Sequence, residues 1–271
     1  MYTFSYALRA WRFHILLNKK VSTKDLFHIV CVHNMMNNLL PARTGELSYI
    51  YLLKRVNNRT TGEGLATLIV ARIFDAIALA VIFFCAILLI RDLPEIISHA
   101  IWMIALCIIL LISILVCLLW YGRRFLFWIQ RGVIFFHAEQ VLWVKYLMKK
   151  GDETIDSLDQ INMKHIQIFC FISSVLIWGF NFGMMYLLLE GMHIALPFLV
   201  IIVGGTFILL STLLPVQGIA GFGTSEMLWT LVFVPLGLPI NDAIVSGFCY
   251  HIIQIGFFII LGIWGFIFLK Y

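Results

Sequence analysis

The sequence contains few charged residues. Only 12% of its 271 residues are Asp, Glu, Lys or Arg, whereas 62% are apolar, and the mean hydropathy is +0.99. A chain of this composition cannot bury its apolar side chains in one water-soluble globule, and no stretch is long and polar enough for a soluble catalytic module. The composition therefore predicts a membrane protein and argues against a nucleic-acid partner.

Paired cysteines and clustered histidines are also absent. The six cysteines lie within apolar segments without CxxC spacing, and the eight histidines are scattered. We therefore predict no disulfide framework, no metal site and no cofactor. The start of the chain lacks a small-residue cleavage site, and Arg9 and Arg12 interrupt its first apolar stretch. Residues 1–17 are thus interpreted as a short first span or an interfacial anchor.

Long apolar runs are what the sequence has instead. Five are long enough to cross a hydrocarbon core about 30 Å thick as helices: residues 65–90, 100–121, 166–189, 194–214 and 243–269. Backbone groups in lipid must be satisfied within the segment, which predicts an all-α, multi-pass helical bundle in the cell inner (plasma) membrane. Two shorter stretches, residues 26–40 and 227–238, indicate re-entrant or half-membrane helices.

Lysine and arginine cluster in residues 9–24, 43–59 and 123–164, which the positive-inside rule places in the cytoplasm. Because basic residues flank segment 26–40 on both sides, we expect it to form a hairpin that enters and leaves on one side; a polar full span is the alternative. Residues 125–148 mix aromatic and basic side chains, as is typical of a helix lying in the headgroup plane.

Two Leu-Leu-Pro breaks, at 39–41 and 213–215, end apolar segments, and each is followed by glycine and then by Glu46 or Glu226. Corresponding breaks in two halves of a membrane protein point to a transport site. We consider one domain made of half-repeats 1–121 and 166–271, joined by the cytoplasmic interfacial segment 122–165. The alternative is a pair of helix-ending prolines followed by surface loops.

Arg72 and Asp75 lie three residues apart in an apolar span, so they project from one helix face and predict an ion pair. Charges within a membrane often serve a substrate, but a pair that only locks two helices together is an equal alternative.

Arg43 and Glu46 have the same spacing just after Pro41, and Asn34 and Asn38 precede them. A guanidinium fork suits a phosphate, and a neighbouring carboxylate can bind a proton or cation or orient the arginine. We favour a wet, ligand-lined cavity over a surface ion pair.

The glycine-rich stretch 218–226 ends at Glu226. Gly221 and Gly223 allow positive φ, and Thr224 or Ser225 is expected to cap a helix that begins near Glu226. The exposed amides would form an anion site. Alternatively, Glu226 only interacts favourably with the helix dipole. On the last span, His251 and Gln254 share a face and predict an interhelical hydrogen bond.

With these motifs assembled, the chain resembles the lysylphosphatidylglycerol synthase transmembrane-region family, also called the flippase-like domain family. The resemblance is carried by Asn-Leu-Leu-Pro-Ala-Arg-Thr-Gly-Glu at 38–46, Arg-Ile-Phe-Asp at 72–75, and Leu-Pro at 214–215 with Gly-Phe-Gly-Thr-Ser-Glu at 221–226. Two departures stand out. The family usually has a complete span before the stretch matched by Arg9 to Arg12, which leaves open whether a helix precedes this sequence, and Ser225 stands where an arginine is often found.

The resemblance implies a stand-alone membrane protein that handles a phospholipid or polyprenyl-linked lipid, and it argues against lysyl transfer, since the soluble aminoacyl-transferase domain of the best-known members is not in this sequence. One hypothesis is a non-enzymatic lipid translocase. The other is a scaffold for a separate lipid-modifying enzyme. The candidate substrate-binding residues are Asn34, Asn38, Arg43, Glu46, Arg72, Asp75, Gly221, Gly223 and Glu226.

Overall fold

The computed structural model describes residues 1–41, 44–90, 95–135, 141–160, 164–211 and 218–269. Within these ranges the chain forms ten α-helices and a short 3₁₀ turn, with no strand, which confirms the predicted all-α bundle. The helices are α1 (Tyr2–Leu16), α2 (Thr23–Leu39), α3 (Glu46–Asn57), α4 (Thr61–Leu89), α5 (Glu95–Phe135), α6 (Leu142–Gln160), α7 (Lys164–Gly191), α8 (Phe198–Ser211), α9 (Thr224–Phe233) and α10 (Ile240–Phe268). The 3₁₀ turn is Ile219–Gly221.

Three helices in the described ranges are long and apolar enough to cross a membrane: Thr61–Leu89, His165–Gly191 and Ile240–Phe268. They match three of the five predicted spans. The fourth, 100–121, lies within α5, and the fifth, 194–214, corresponds to α8. With 14 residues, α8 is only about 21 Å long, too short to cross the hydrocarbon core by itself.

Segment 26–40 does not turn back on itself as the predicted re-entrant hairpin; it forms one helix, α2, and the following α3 runs antiparallel to it, so that α2 and α3 together make a hairpin. Asn57 donates a hydrogen bond to Asp25 at the base of the hairpin (3.4 Å), and His33 contacts Ser48 near its tip (3.4 Å). The tip is tight because a Cβ on Gly45 would collide with the backbone of Met36. With 17 and 12 residues, the two helices are about 26 and 18 Å long, so each reaches only part of the way through a bilayer.

The short helices α8 and α9 approach from the other end of the bundle. Helices α4 and α7 run parallel, since Asp75 of α4 bonds Ser174 of α7 and Phe83 clusters with Phe182. Their C-terminal ends therefore lie together, far from the base of the α2–α3 hairpin, and α8 begins there. Its Gly204 packs on Phe233 of α9. The second predicted half-membrane segment, 227–238, is thus found mainly as the ten-residue α9.

The prediction of a headgroup-plane helix over residues 125–148 is wrong. Residues 95–135 form one continuous helix, and α6 folds back along its second half. Arg123 donates to Asp156 (3.0 Å) and Gln130 to Asp152 (3.2 Å), so the polar residues of this region pair with each other. No proline interrupts 95–135, which explains why the helix continues beyond the apolar run.

Helix α1 is part of the bundle and not an interfacial anchor. It packs between α2 and α7, with Trp11 against Phe169 (ring centroids 4.8 Å apart) and Phe4 against Phe180 (6.2 Å). Its remaining face, which carries Arg9 and Arg12, points into the bundle. The division into two half-repeats stays a prediction.

Candidate functional site

A cavity of about 220 Å³ lies between the α2–α3 hairpin and the glycine-rich turn before α9. This volume corresponds to about seven water molecules, enough for a phosphate-bearing headgroup but not for acyl chains. Its polar wall includes Arg9 of α1, Arg72 of α4, His251 of α10, and Asn34, Asn37 and Asn38 of α2. The end of α2 and the glycine-rich turn, two regions that the sequence singled out, therefore border one polar space.

Arg12 and Asp75 form a buried ion pair beside this cavity. The Arg12 guanidinium donates to both carboxylate oxygens of Asp75, at 2.6 and 3.2 Å, and Ser174 donates to the same carboxylate at 2.8 Å. Arg12 is 1% exposed and Asp75 is 4% exposed. The pair joins α1, α4 and α7, and neither residue lines the cavity. Its geometry fits a structural lock.

The expected pairing of Arg72 with Asp75 is therefore wrong. Arg72 donates instead to Glu46 at the start of α3, with a distance of 2.6 Å between Nη2 and Oε1. The spacing of three residues allowed a contact within α4, but bundle packing gave each residue a partner on another helix. Arg43, the partner expected for Glu46, lies outside the described residues.

Arg9 has no such partner. In the described part of the chain its guanidinium forms no ion pair and no hydrogen bond, and its Nε atom is buried. Arg9 lines the cavity together with Arg72. Of the three arginines on this side of the cavity, Arg12 and Arg72 are paired with Asp75 and Glu46, whereas Arg9 is paired with no carboxylate in the described ranges.

Other buried donors on the cavity wall also lack a protein acceptor. The hydroxyl of Tyr6 and the indole N–H of Trp178 have no hydrogen-bond partner among the described residues, and both residues line the cavity. Together with Arg9 Nε they form a set of unsatisfied N–H and O–H donors. Because buried donors are seldom left unpaired, this set indicates an acceptor-rich ligand, and phosphate oxygens fit that requirement.

The glycine-rich turn forms the opposite wall. Helix α9 begins at Thr224 after Gly223, so the expected caps Thr224 and Ser225 are wrong. Glu226 performs the capping, because its Oε2 accepts the Gly223 N–H at 2.8 Å. Its Oε1 lies 2.6 Å from Nδ1 of His251, which confirms the expected interhelical hydrogen bond of that histidine. Gly221 has φ +72°, where a side chain would also collide with Ser225.

The predicted site residues fall into four groups. Asn34, Asn38, Arg72 and Gly221 line the cavity. Glu46 and Glu226 stand directly behind it, because each is bonded to a lining residue, Arg72 or His251. Asp75 and Gly223 lie outside the lining, and Arg43 and residues 213–215 lie outside the described ranges.

Sequence reasoning missed the two most informative arginines. Arg9 and Arg12 were counted with the cytoplasmic basic cluster, yet both lie inside the bundle. A detectable pattern was present, because Tyr2, Ser5, Arg9 and Arg12 recur at spacings of three and four and thus share one polar face of an otherwise apolar helix.

The comparison with protein families agrees with this arrangement. The family model described as "Lysylphosphatidylglycerol synthase TM region" matches residues 1–262. The chain belongs to this family. No curated protein and no solved structure gives a significant match. In this member of the lysylphosphatidylglycerol synthase TM-region family, every side chain that lines the cavity lies within the matched range.

Proposed function

We propose that the protein binds the phosphate headgroup of an anionic phospholipid or polyprenyl-linked lipid in the cavity and moves it across the membrane without covalent change. The observation that carries this proposal is Arg9, a guanidinium on the cavity wall with no protein partner among the described residues. An unpaired charge in a bundle is costly, and a bound anion removes that cost.

The chemistry of the wall supports a phosphate over a neutral headgroup. Arg9 and Arg72 supply forked donors, and the Tyr6 hydroxyl and Trp178 indole N–H are available to further oxygens. Such charge-assisted hydrogen bonds to phosphate are about twice as strong as neutral ones. The asparagines of α2 add groups that can both donate and accept, which suits a glycerol or sugar attached to the phosphate.

The position of the cavity supports translocation. The α2–α3 hairpin and the short helices α8 and α9 enter from opposite ends of the bundle, and the cavity lies between them. Broken helices that meet at a central site are typical of secondary transporters. Movement of one hairpin relative to the other would open the headgroup site toward one leaflet and then toward the other.

The test uses phosphatidylcholine vesicles that contain the protein and a trace of fluorescent phosphatidylglycerol, with dithionite quenching to follow movement between leaflets. We expect the wild type to accelerate this movement. Arg9→Gln should bind phosphatidylglycerol at least about tenfold more weakly, because the loss of one charge-assisted hydrogen bond reduces affinity by about that factor. Arg124→Gln, on the exposed surface of α5, is the matched control and should behave as wild type. Equal affinities of Arg9→Gln and wild type would refute the assignment.

The alternative is a scaffold that presents the same lipid to a separate enzyme. A scaffold requires the headgroup site but no passage between leaflets. Binding that depends on Arg9, without accelerated movement of phosphatidylglycerol or of a fluorescent polyprenyl phosphate, would favour this second function.

A further inference from the structure

The Glu226–His251 pair has a hydrogen-bond arrangement that requires an additional proton. His251 Nδ1 lies 2.6 Å from Glu226 Oε1, and His251 Nε2 lies 3.0 Å from the carbonyl oxygen of Ala220. A carbonyl only accepts, so Nε2 must carry a hydrogen. A neutral ring then has a bare Nδ1, which cannot lie 2.6 Å from an ionised carboxylate without a hydrogen between them.

Two protonation states satisfy these contacts. Either the ring is an imidazolium facing a carboxylate, or a neutral ring accepts a hydrogen bond from a protonated Glu226. Both contain one proton more than a neutral histidine with an ionised glutamate. Glu226 and His251 are 4% and 7% exposed, so solvent does not stand in for this hydrogen.

The proton also fixes the shape of the cavity wall. Ala220 has a left-handed backbone with φ 53°, which is unfavourable for a residue with a Cβ. The hydrogen bond from His251 to its carbonyl stabilises this turn, and Ala220, Gly221 and His251 all line the cavity. Without the proton, one of the two ring nitrogens of His251 carries a lone pair that faces an oxygen, either of Glu226 or of Ala220. That contact is repulsive, so one of the two hydrogen bonds must break.

We propose that Glu226 and His251 form a proton-binding site that holds the turn 218–223 against α10 when occupied and releases it when the proton leaves. This inference rests on the proposed lipid transport, to which it adds coupling to a proton gradient. The proton enters from water onto the pair and returns to water when the turn opens. No covalent bond changes.

Other titratable or charged groups line the same cavity as the pair, namely Tyr2, Tyr6 and Arg9 of α1, Arg72 of α4, and Tyr250 of α10. Helices α2, α7 and α8 contribute asparagines and uncharged side chains to the lining. Arg9 and Arg72 repel an additional positive charge, so an anionic lipid at these arginines would favour the proton on the pair. Lipid and proton would then bind cooperatively.

Hydrogen exchange of the backbone amides in 218–226 tests the pair without any lipid. After correction for the intrinsic pH dependence of exchange, we expect wild-type protection to fall by about tenfold or more between about pH 5.5 and about pH 8.5. In Glu226→Gln the amide N–H can donate to a neutral His251, and its oxygen can still accept from Gly223. This variant should therefore stay protected at every pH, whereas Glu226→Ala should be unprotected throughout.

Glu190→Gln, an exposed carboxylate at the end of α7, is the matched control and should follow the wild type. The proposal is overturned if wild-type protection does not change with pH, or if Glu226→Gln titrates like the wild type. Because Glu226→Gln retains both hydrogen bonds, a failure of Glu226→Ala to fold leaves this test intact.

The second measurement links the pair to transport of phosphatidylglycerol in the same vesicles. We expect reversal of an imposed pH gradient to change the wild-type rate about fivefold or more, whereas the rate of Glu226→Gln should be the same for both directions of the gradient. A gradient response that persists in Glu226→Gln contradicts the coupling. If the wild type moves no lipid, the transport proposal fails, and hydrogen exchange still decides whether the pair holds the turn.

Discussion

Arg9 and Arg12 occupy the same face of α1, three residues apart, and each has a buried Nε without a hydrogen-bond partner among the described residues, but their surroundings otherwise differ. Arg12 is fully buried and has a carboxylate and a hydroxyl of its own, from Asp75 and Ser174. Arg9 faces the cavity and has no partner in the described ranges. The comparison shows that a charge within a membrane bundle is not by itself evidence of a substrate site. The arginine whose charge is paired with a carboxylate is structural, and the arginine whose charge has no carboxylate partner in the described ranges is available to a ligand.

The largest expected effect on stability comes from disrupting the ion pair of Arg12. Asp75→Asn leaves a buried guanidinium without its counter-charge, which should destabilise the fold by about 3–5 kcal/mol. The double variant Arg12→Gln with Asp75→Asn removes both charges and should recover part of this loss. Thermal unfolding in detergent measures both. A double variant that is no more stable than Asp75→Asn would show that the two residues are not energetic partners.

A smaller loss is expected from the hydroxyl in the same lock. Ser174→Ala removes the donor to Asp75 Oδ1 and should cost about 1–3 kcal/mol, because it weakens a hydrogen bond to a charged group. The neighbouring Ser173 is equally buried, but its hydroxyl donates to the Cys170 carbonyl of its own helix. Ser173→Ala should therefore unfold close to the wild-type temperature. Equal losses for the two serines would place the effect in packing and not in the ion pair.

Substitution of Arg9 is expected to change stability in the opposite direction. Arg9→Gln removes an unpaired charge from the bundle, so the lipid-free protein should become more stable, by about 1 kcal/mol, while losing affinity for anionic lipid. Thermal unfolding in a neutral detergent checks the first part. Added phosphatidylglycerol should raise the melting temperature of the wild type more than that of Arg9→Gln. A destabilised Arg9→Gln that responds normally to phosphatidylglycerol would make Arg9 a second structural arginine.

This comparison also marks where sequence reasoning succeeded. Apolar runs and proline breaks follow from local physics, namely the length that crosses a bilayer and the missing N–H of proline. They predicted the helical bundle, a short helix at segment 26–40 and the short helix near Glu226. The glycine turn was also predictable, since Gly221 adopts a backbone conformation that most side chains avoid.

The ion-pair partners of the charged residues could not be predicted from the sequence in the same way. Spacing shows that Arg72 and Asp75 share a helix face, but not that Glu46 and Arg12 approach that face from other helices. Long-range partners depend on how elements far apart in sequence pack together. This packing determines which of several oppositely charged residues a given side chain contacts. For the same reason Arg9 and Arg12 were assigned to a cytoplasmic cluster, since a charge count along the chain does not show which helices enclose it.

The smallest effect concerns Arg72. This arginine is intermediate between Arg12 and Arg9, because it lines the cavity as Arg9 does and has a carboxylate partner, Glu46, as Arg12 has one. Arg72 and Glu46 are each about one-third exposed, so Glu46→Gln should change stability by less than about 1 kcal/mol. The same change frees the Arg72 guanidinium from a competing carboxylate, and phosphatidylglycerol affinity should rise about two- to fivefold. Titration of the protein with phosphatidylglycerol-containing nanodiscs measures this gain, with Glu190→Gln as the control for the lost surface charge. A loss of affinity would mean that Glu46 holds Arg72 in its binding orientation, and the carboxylate would then belong to the headgroup site as a positioning residue.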